Sequence, residues 1–240
     1  MSSARALAVI PARYASTRFP GKPLAPIGGV PMILRVLERT RGINNIDEAI
    51  VATDDRRIAE VVEKGGGRVV MTSRSHSSGT SRVAEAASGL DYDIVINIQG
   101  DEPLLPVRGV EELIEVMASD SSVQMGTLAS ISDKPEMLKD RDIVKVVFDL
   151  DGNALYFSRA PLPGGDNSFY RHIGIYGFRL GFLMKFSRIH PSPLEMAENL
   201  EQLRALENGY RIRVVTCDGG APGVDRPEDI KRVEKLIDKI

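Results

Sequence analysis

The sequence predicts an α/β protein with a doubly wound sheet that is parallel in its first half and mixed in its second. Short apolar runs alternate with helical patterns in the first half, strand-like segments crowd together in the second, and polar motifs directly follow three of the early runs. With 240 residues and 42% hydrophobic content, the chain can bury a large core. We therefore expect one domain, residues 1–240, with an excursion at about residues 150–190.

The first half of the chain predicts βαβ units, because each apolar run is bounded by turn residues and followed by amphipathic helical spacing. Gly65-Gly66-Gly67 follows the second helix and is typical of a helix end. The predicted strands are Leu7–Ile10, Glu48–Thr53, Arg68–Met71 and Ile94–Gln99, and the predicted helices are Pro31–Thr40, Arg56–Lys64 and Ser81–Ala87.

The second half predicts partly antiparallel pairing, because its strands follow one another with short turns such as Asp151-Gly152-Asn153. A proline-glycine loop at Pro161–Asp166 interrupts them. The predicted strands are Gln124–Ser130, Ile143–Phe148, Ala154–Ser158, Ile173–Phe178 and Arg211–Thr216, and the predicted helices are Val110–Ala118, Phe182–Ile189, Leu194–Asn208 and one from Pro227 onward.

Composition excludes several function classes. A net charge of -2 argues against a nucleic-acid-binding or membrane-surface protein, and the apolar runs are too short to span a bilayer. The single cysteine, Cys217, rules out an intrachain disulfide and a cysteine-based zinc cluster, and it suits a reduced compartment. We expect a cytoplasmic protein that acts on a small anionic molecule.

The loop after the first strand, PARYASTRFPGKP at residues 11–23, predicts a polyphosphate site. It places Arg13, Arg18 and Lys22 beside backbone N–H groups that Gly21 leaves accessible. A solvated surface loop is the alternative. Pro23 follows Lys22 where a Walker A loop needs Ser or Thr, and no GxGxxG follows the strand, so a P-loop NTPase and a dinucleotide dehydrogenase are both disfavoured.

Two aspartates are candidate magnesium ligands. Asp101 lies just past a predicted strand, between Gly100 and Pro103, and Mg²⁺ prefers carboxylate oxygens together with substrate phosphates. Asp225 lies in GVDRPED. Each has a structural alternative: Asp101 as a turn aspartate bonded to its own backbone, and Asp225 as the N-cap of the last helix with Glu228 completing a capping box.

Other polar segments allow both functional and structural interpretations. The segment from His76 to Thr80 could contact a base or ribose, or Ser78 or Thr80 could cap the following helix. His172 begins an alternating strand that includes Tyr176, where a lone histidine is more often structural. Glu195 completes the capping box SPLE.

Taken together, these motifs resemble those of the 3-deoxy-D-manno-octulosonate (Kdo) cytidylyltransferases, the CMP-Kdo synthetases of lipopolysaccharide assembly. The resemblance runs from end to end and rests on PARYASTRFPGKP, VATDD, HSSGTSR, NIQGDEP, VKVVFD, ALYFSRAPLP, RHIGIYGFR, SPLEMAENLEQLR and GVDRPEDI. It implies a nucleotide-diphospho-sugar transferase fold with a dimerisation excursion. It also implies a homodimer that uses Mg²⁺ to join CTP to Kdo with release of pyrophosphate.

The resemblance also implies roles for individual residues. Lys22 and Arg13 would be catalytic together with the two metal-binding carboxylates, Asp101 and Asp225. The nucleotide would be bound by Arg13, Ser16, Lys22, Arg74, Ser78 and Gln99. The sugar acid would be bound by Gln99, Arg159, His172, Tyr176 and Glu195.

Two departures from the family pattern leave the sugar open. Ser81 stands where many relatives have an acidic residue, and the stretch Leu162–Tyr170 is shorter than in many relatives. A modified Kdo, such as 8-amino-Kdo, or another sugar acid is the alternative substrate. A non-catalytic nucleotide-binding homologue is a further alternative. Such a protein would tolerate the loss of Lys22, Asp101 or Asp225. This chain retains all three, which favours an enzyme.

Overall fold

The computed structural model describes residues 4–15, 19–164, 168–219 and 223–237. The chain forms two compact units. The first consists of residues 1–107 and 220–240, and the second of residues 108–219. The predicted excursion at residues 150–190 lies within the second unit.

The first unit contributes four parallel strands to the sheet, which confirms the predicted βαβ arrangement. Its strands are β1 (Ala6–Ala12), β4 (Glu48–Thr53), β5 (Arg68–Met71) and β6 (Ile94–Asn97), in the spatial order β6-β1-β4-β5. Every residue of β1 is buried, as expected for a central parallel strand covered on both faces.

Three helices connect these strands: α1 (Met32–Arg41), α2 (Arg56–Lys64) and α3 (Gly79–Ala87). Asp55 caps α2 by accepting a hydrogen bond from the Arg57 N–H, and Ser78 caps α3 by accepting one from the Ser81 N–H. Gly65 ends α2, and Gly66 follows with φ of 72°, which confirms the helix end predicted there.

A small hairpin between β1 and α1 was not predicted from the sequence. Its strands, β2 (Pro26–Ile27) and β3 (Val30–Pro31), are only two residues long, too short for an alternating pattern. The two residues of its turn, Gly28 and Gly29, both have positive φ. Pro31 therefore ends a strand, and α1 begins one residue later than predicted.

The second unit contributes five strands with mixed pairing, which confirms the predicted change in strand pairing. Strand β11 is parallel to β7, while β7 with β10, β10 with β8, and β8 with β9 are antiparallel. The strands are β7 (Met125–Ser132), β8 (Lys145–Phe148), β9 (Ala154–Ser158), β10 (Phe169–Arg179) and β11 (Ile212–Thr216). The helices are α4 (Val107–Ser119), α5 (Pro135–Lys139), α6 (Leu180–Phe186), α7 (Pro193–Glu198) and α8 (Leu203–Glu207).

Two predicted elements of the second unit differ most from the structure in extent. The single helix predicted at Leu194–Asn208 is two helices, because Asn199 adopts the left-handed conformation with φ of 54° and ends α7. Strand β10 begins at Phe169, earlier than predicted. Its Arg171 and His172 are buried.

The last helix, α9 (Pro227–Ile237), belongs to the first unit. The N–H of Gly28 donates to Glu234 Oε1 at 2.9 Å, which joins this helix to the hairpin. At the start of α9, the Asp229 carboxylate accepts hydrogen bonds from the Asp225 and Arg226 N–H groups. The sequence had predicted that Glu228 would cap the helix in this way. No helix among the described residues has the length and apolar character needed to span a membrane.

Candidate active site

A cleft of about 190 Å³ opens in the first unit at the carboxyl ends of β1 and β6, where parallel sheets typically bind ligands. Its rim carries residues that the sequence had identified from separate motifs. Six predicted site residues line it: Arg13, Lys22, Ser78, Gln99, Asp101 and Asp225. Arg74 is exposed in a neighbouring loop and is not among the lining residues, while Ser16 and Arg18 lie outside the described residues.

Lys22 connects the two predicted metal ligands. Its ammonium group forms an ion pair with Asp101 Oδ2, lies 3.7 Å from Asp225 Oδ1 and donates to the Val224 carbonyl at 2.9 Å. The Val224 N–H donates in turn to the Asp101 carbonyl at 2.9 Å. The lysine and both carboxylates therefore form one charge cluster, although the two carboxylates are far apart in the sequence.

Two glycines allow the backbone around this cluster to pack closely. Gly21, which precedes a 3₁₀ turn at Lys22–Leu24, has φ of 72°, and a Cβ there would lie 3.2 Å from the Tyr14 ring. A Cβ on Gly100 would lie 3.0 Å from the Pro11 carbonyl oxygen. Both glycines allow the ends of two buried strands to bring Lys22 and Asp101 together.

The carboxylate pair fits a magnesium ion that shares its coordination with a substrate. Mg²⁺ commonly takes one or two protein carboxylates and completes its shell with phosphate oxygens and water. Asp101 and Asp225 converge on one cation, the Lys22 ammonium. Among residues 4–15, 19–164, 168–219 and 223–237, no group of three or more His, Cys, Asp or Glu side chains could hold a metal by itself.

Arg159, in the second unit, is held by backbone carbonyls. Its Nε donates to the Glu198 carbonyl at 3.2 Å and its Nη1 to the Arg141 carbonyl at 3.1 Å. A guanidinium has five N–H donors, so this arrangement fixes the group while leaving donors that could bind a carboxylate. The Arg159 carbonyl accepts a hydrogen bond at 2.8 Å from Lys145, whose side chain is buried.

His172 and Tyr176 lie on β10 with their rings 5.5 Å apart. Burial lowers the pKa of His172 to about 3, with a smaller contribution from Arg171, so the imidazole is neutral at physiological pH. Burial also raises the pKa of Tyr176 above its usual value, and the negative charge of Glu201 adds to this effect. Both groups are therefore uncharged donors and acceptors.

The Glu195 carboxylate is engaged by protein groups. It accepts from the Ser192 N–H at 3.1 Å, completing the predicted capping box, and it forms a two-point ion pair with Arg204, in which Nε donates at 2.6 Å. This geometry favours a structural role in joining α7 to α8. A contact between Glu195 and a sugar stays a prediction.

Comparisons with known proteins give the chain its family. A family model described as cytidylyltransferase matches residues 7–212. A 3-deoxy-manno-octulosonate cytidylyltransferase of Geobacter metallireducens is 51% identical over 245 residues, covering 95% of this chain and 96% of that protein. One of Geotalea uraniireducens is 50% identical, with coverage of 97% and 98%. The chain belongs to the 3-deoxy-manno-octulosonate cytidylyltransferase family.

Solved structures confirm the fold expected for this cytidylyltransferase family. A CMP:2-keto-3-deoxy-manno-octonic acid synthetase, whose structure was solved in complex with CTP, is 40% identical and superimposes with a TM-score of 0.93, covering 98% of this chain and 99% of that one. A cytidylyltransferase from Leptospira borgpetersenii has the same fold, with a TM-score of 0.68 at 18% identity.

Two buried polar side chains, those of Arg82 and Gln202, were not identified from the sequence as candidates for the site. Arg82 lines the cleft although it is only 3% exposed, donating to Thr72 Oγ1 at 2.6 Å and to Asp54 Oδ2 at 3.1 Å. Gln202 is 3% exposed, and among the described residues its Nε2 has no hydrogen-bond partner. A polar residue on the buried face of a predicted helix was the available signal for Arg82.

Proposed function

We propose that this protein transfers a cytidylyl group from CTP to Kdo, giving CMP-Kdo and pyrophosphate. The observation that carries the proposal is the charge cluster of Lys22, Asp101 and Asp225 in a cleft at the carboxyl ends of parallel strands. This cluster occurs in a chain that aligns over 98% of its length with a synthetase solved in complex with CTP. Kdo as the sugar follows from the names of relatives about 50% identical to it.

In this mechanism, the anomeric hydroxyl of Kdo attacks the α-phosphorus of CTP, its proton passes to water as the new P–O bond forms, and the bond to pyrophosphate breaks so that pyrophosphate leaves. Arg13 and Lys22 bind the phosphates and offset the charge that develops on them. Asp101 and Asp225 would hold a magnesium ion, which when bound neutralises phosphate charge. Two carboxylates and one carbonyl hold the Lys22 ammonium group at this cleft.

In the proposed function, Arg159 binds the sugar carboxylate. A planar guanidinium can donate two parallel hydrogen bonds to a carboxylate, which a lysine cannot reproduce. His172, Tyr176 and the buried amide of Gln202 are uncharged groups suited to sugar hydroxyls. We further propose a homodimer, a cytoplasmic location and a role in lipopolysaccharide synthesis.

The decisive experiment measures pyrophosphate release from CTP with Kdo, with 8-amino-Kdo and with N-acetylneuraminate, each with and without Mg²⁺. We expect release with Kdo and Mg²⁺, and none when EDTA is present. Faster release with 8-amino-Kdo would assign the modified sugar instead. No release with any of the three would leave the non-catalytic homologue as the better description.

Asp225→Asn tests the metal proposal. Because α9 begins at Pro227, Asp225 lies before its N-cap position; asparagine has nearly the same size and shape there, so a purely structural Asp225 predicts wild-type rates. We expect turnover to fall by two orders of magnitude or more, about 3 kcal/mol in activation free energy, with the unfolding midpoint unchanged. Asp101→Asn should behave in the same way. Wild-type turnover in Asp225→Asn would remove this residue from the metal site.

A further inference from the structure

The hydrogen bonds around Thr127, on β7, determine which ring nitrogen of His172 carries the proton. The Thr127 hydroxyl is fully buried and lies 2.9 Å from His172 Nε2. It also lies 2.8 Å from the Ile175 carbonyl oxygen and 3.3 Å from that of Ile173. A hydroxyl has one proton to donate and lone pairs with which to accept.

The two carbonyls face Thr127 because the β7–β10 register shifts at this point. Ile173 is opposite Leu128, whereas Tyr176 is opposite Thr127, so the intervening residues form a bulge. A carbonyl oxygen can only accept a hydrogen bond, and one left unsatisfied in the interior costs free energy. The Thr127 hydroxyl therefore donates to Ile175 at 2.8 Å.

With its proton directed to a carbonyl, the Thr127 oxygen can only accept from the imidazole. His172 is neutral, so a proton on Nε2 leaves Nδ1 with a lone pair. Among the described residues, the only hydrogen-bond partner of the His172 ring is Thr127. The ring also contacts Phe157 edge-on, with centroids 5.0 Å apart, which restricts its rotation.

We propose that Thr127 is a positioning residue that holds His172 as its Nε2–H tautomer, so that Nδ1 accepts a hydrogen bond from a hydroxyl of the sugar acid. This inference rests on the proposed function, because it deepens the assignment of His172 to the sugar. It makes the imidazole an acceptor for a hydroxyl and gives it no means of donating to the sugar carboxylate. The site would therefore select a sugar acid that carries a hydroxyl at the position facing His172 Nδ1.

The first test is a long-range ¹H–¹⁵N NMR spectrum of the wild-type enzyme. The chain has three histidines, so His172→Gln is enough to assign the signals of His172. We expect a protonated Nε2 and an unprotonated Nδ1, and we expect the Nδ1 resonance to shift when Kdo and CTP are added in EDTA. A protonated Nδ1, or an Nδ1 signal that does not move with Kdo, overturns the inference without any variant having to fold.

The second test compares Thr127→Val with Thr127→Ser. Valine keeps the shape but removes the acceptor, so we expect KM for Kdo to rise about tenfold while KM for CTP stays unchanged. Serine keeps the hydroxyl and should restore both the tautomer and the KM. An unchanged KM for Kdo in a folded Thr127→Val variant, or equal losses in the valine and serine variants, would contradict the proposal.

Ser130→Ala is the matched control, because it removes another buried β7 hydroxyl, one that accepts from Arg171 Nη2 at 3.1 Å and does not contact His172. It should leave the tautomer and the KM for Kdo unchanged. Failure of the proposed function would look different: the wild-type enzyme would release no pyrophosphate with any sugar acid. A wild-type enzyme that turns over Kdo with a protonated Nδ1 overturns only the inference about Thr127.

Discussion

Replacing Lys145 with methionine should test how the backbone of Arg159 is fixed. The Lys145 side chain is buried, and its ammonium group donates to three carbonyls, those of Asp140 and Ile143 at 2.7 Å each and that of Arg159 at 2.8 Å. All three of its donors are therefore used. Methionine fills a similar volume but leaves the three carbonyls without this donor.

The magnitude follows from two opposing terms. A hydrogen bond to a charged group contributes about 1.5–3 kcal/mol, so three of them would sum to about 4.5–9 kcal/mol. Removing the buried charge recovers part of this sum, because the ammonium group had lost its hydration, which costs several kcal/mol. We expect a net destabilisation of about 3–5 kcal/mol, a large fraction of the 5–15 kcal/mol typical of a folded protein.

Urea unfolding followed by circular dichroism measures this loss, and Lys139→Met provides the matched control. Lys139 is an exposed lysine at the end of α5, so its replacement should change stability by less than about 0.5 kcal/mol. At a urea concentration where both variants stay folded, the Lys145→Met enzyme should show a raised KM for Kdo with KM for CTP unchanged. If the two variants unfold at the same urea concentration, the three hydrogen bonds contribute nothing, and the reasoning fails.

Three further predictions follow from the second unit. Glu195→Gln should lower the free energy of unfolding by about 1.5–3 kcal/mol, because the buried Arg204 loses the nearer of two carboxylate partners and keeps only Glu201, at 3.7 Å; an unchanged urea midpoint would contradict the role assigned to the pair. Light scattering should give twice the 26.2 kDa mass of one chain, since Leu155 and Met196 are 61% and 66% exposed and need cover, and a single-chain mass at micromolar concentration would exclude the dimer. Burial raises the pKa of Cys217 to about 11, so alkylation of this thiol in the native protein should be slow at pH 8. The rate should increase as rising pH forms the thiolate. Labelling of the native protein at pH 8 as fast as that of the urea-unfolded chain would refute this.

The strands of the first unit could be predicted because burial on both faces leaves a direct trace in the sequence. The run Leu7–Ile10 lies within the fully buried β1, and the predicted bounds of β4 and β5 match the structure. The order in which the strands pair requires contacts that no local pattern contains. The break at Asn199 was missed because asparagine in the left-handed conformation looks the same in a sequence as asparagine within a helix.

The candidate site could be predicted only in part, for a related reason. Loop composition identified Lys22 and Asp101 separately, but their ion pair connects residues 79 positions apart. Lys145 was missed because a lysine in an apolar strand predicts a solvent-facing residue, and only the three carbonyls around it explain its burial. A sequence does not show which distant residues pair with a given charged group.

The return of the C-terminal segment to the first unit has a consequence for synthesis on the ribosome. The second unit, residues 108–219, is inserted between the two parts of the first, so the segment carrying Val224 and Asp225 is translated after the whole insertion. Val224 follows Lys22 by 202 residues, so the hydrogen bond from Lys22 to the Val224 carbonyl cannot form until that later segment has been synthesised. Since domains generally fold from the N-terminus as they emerge, the cleft becomes complete only near the end of translation, and a chain that stops at residue 219 would lack one of its two converging carboxylates.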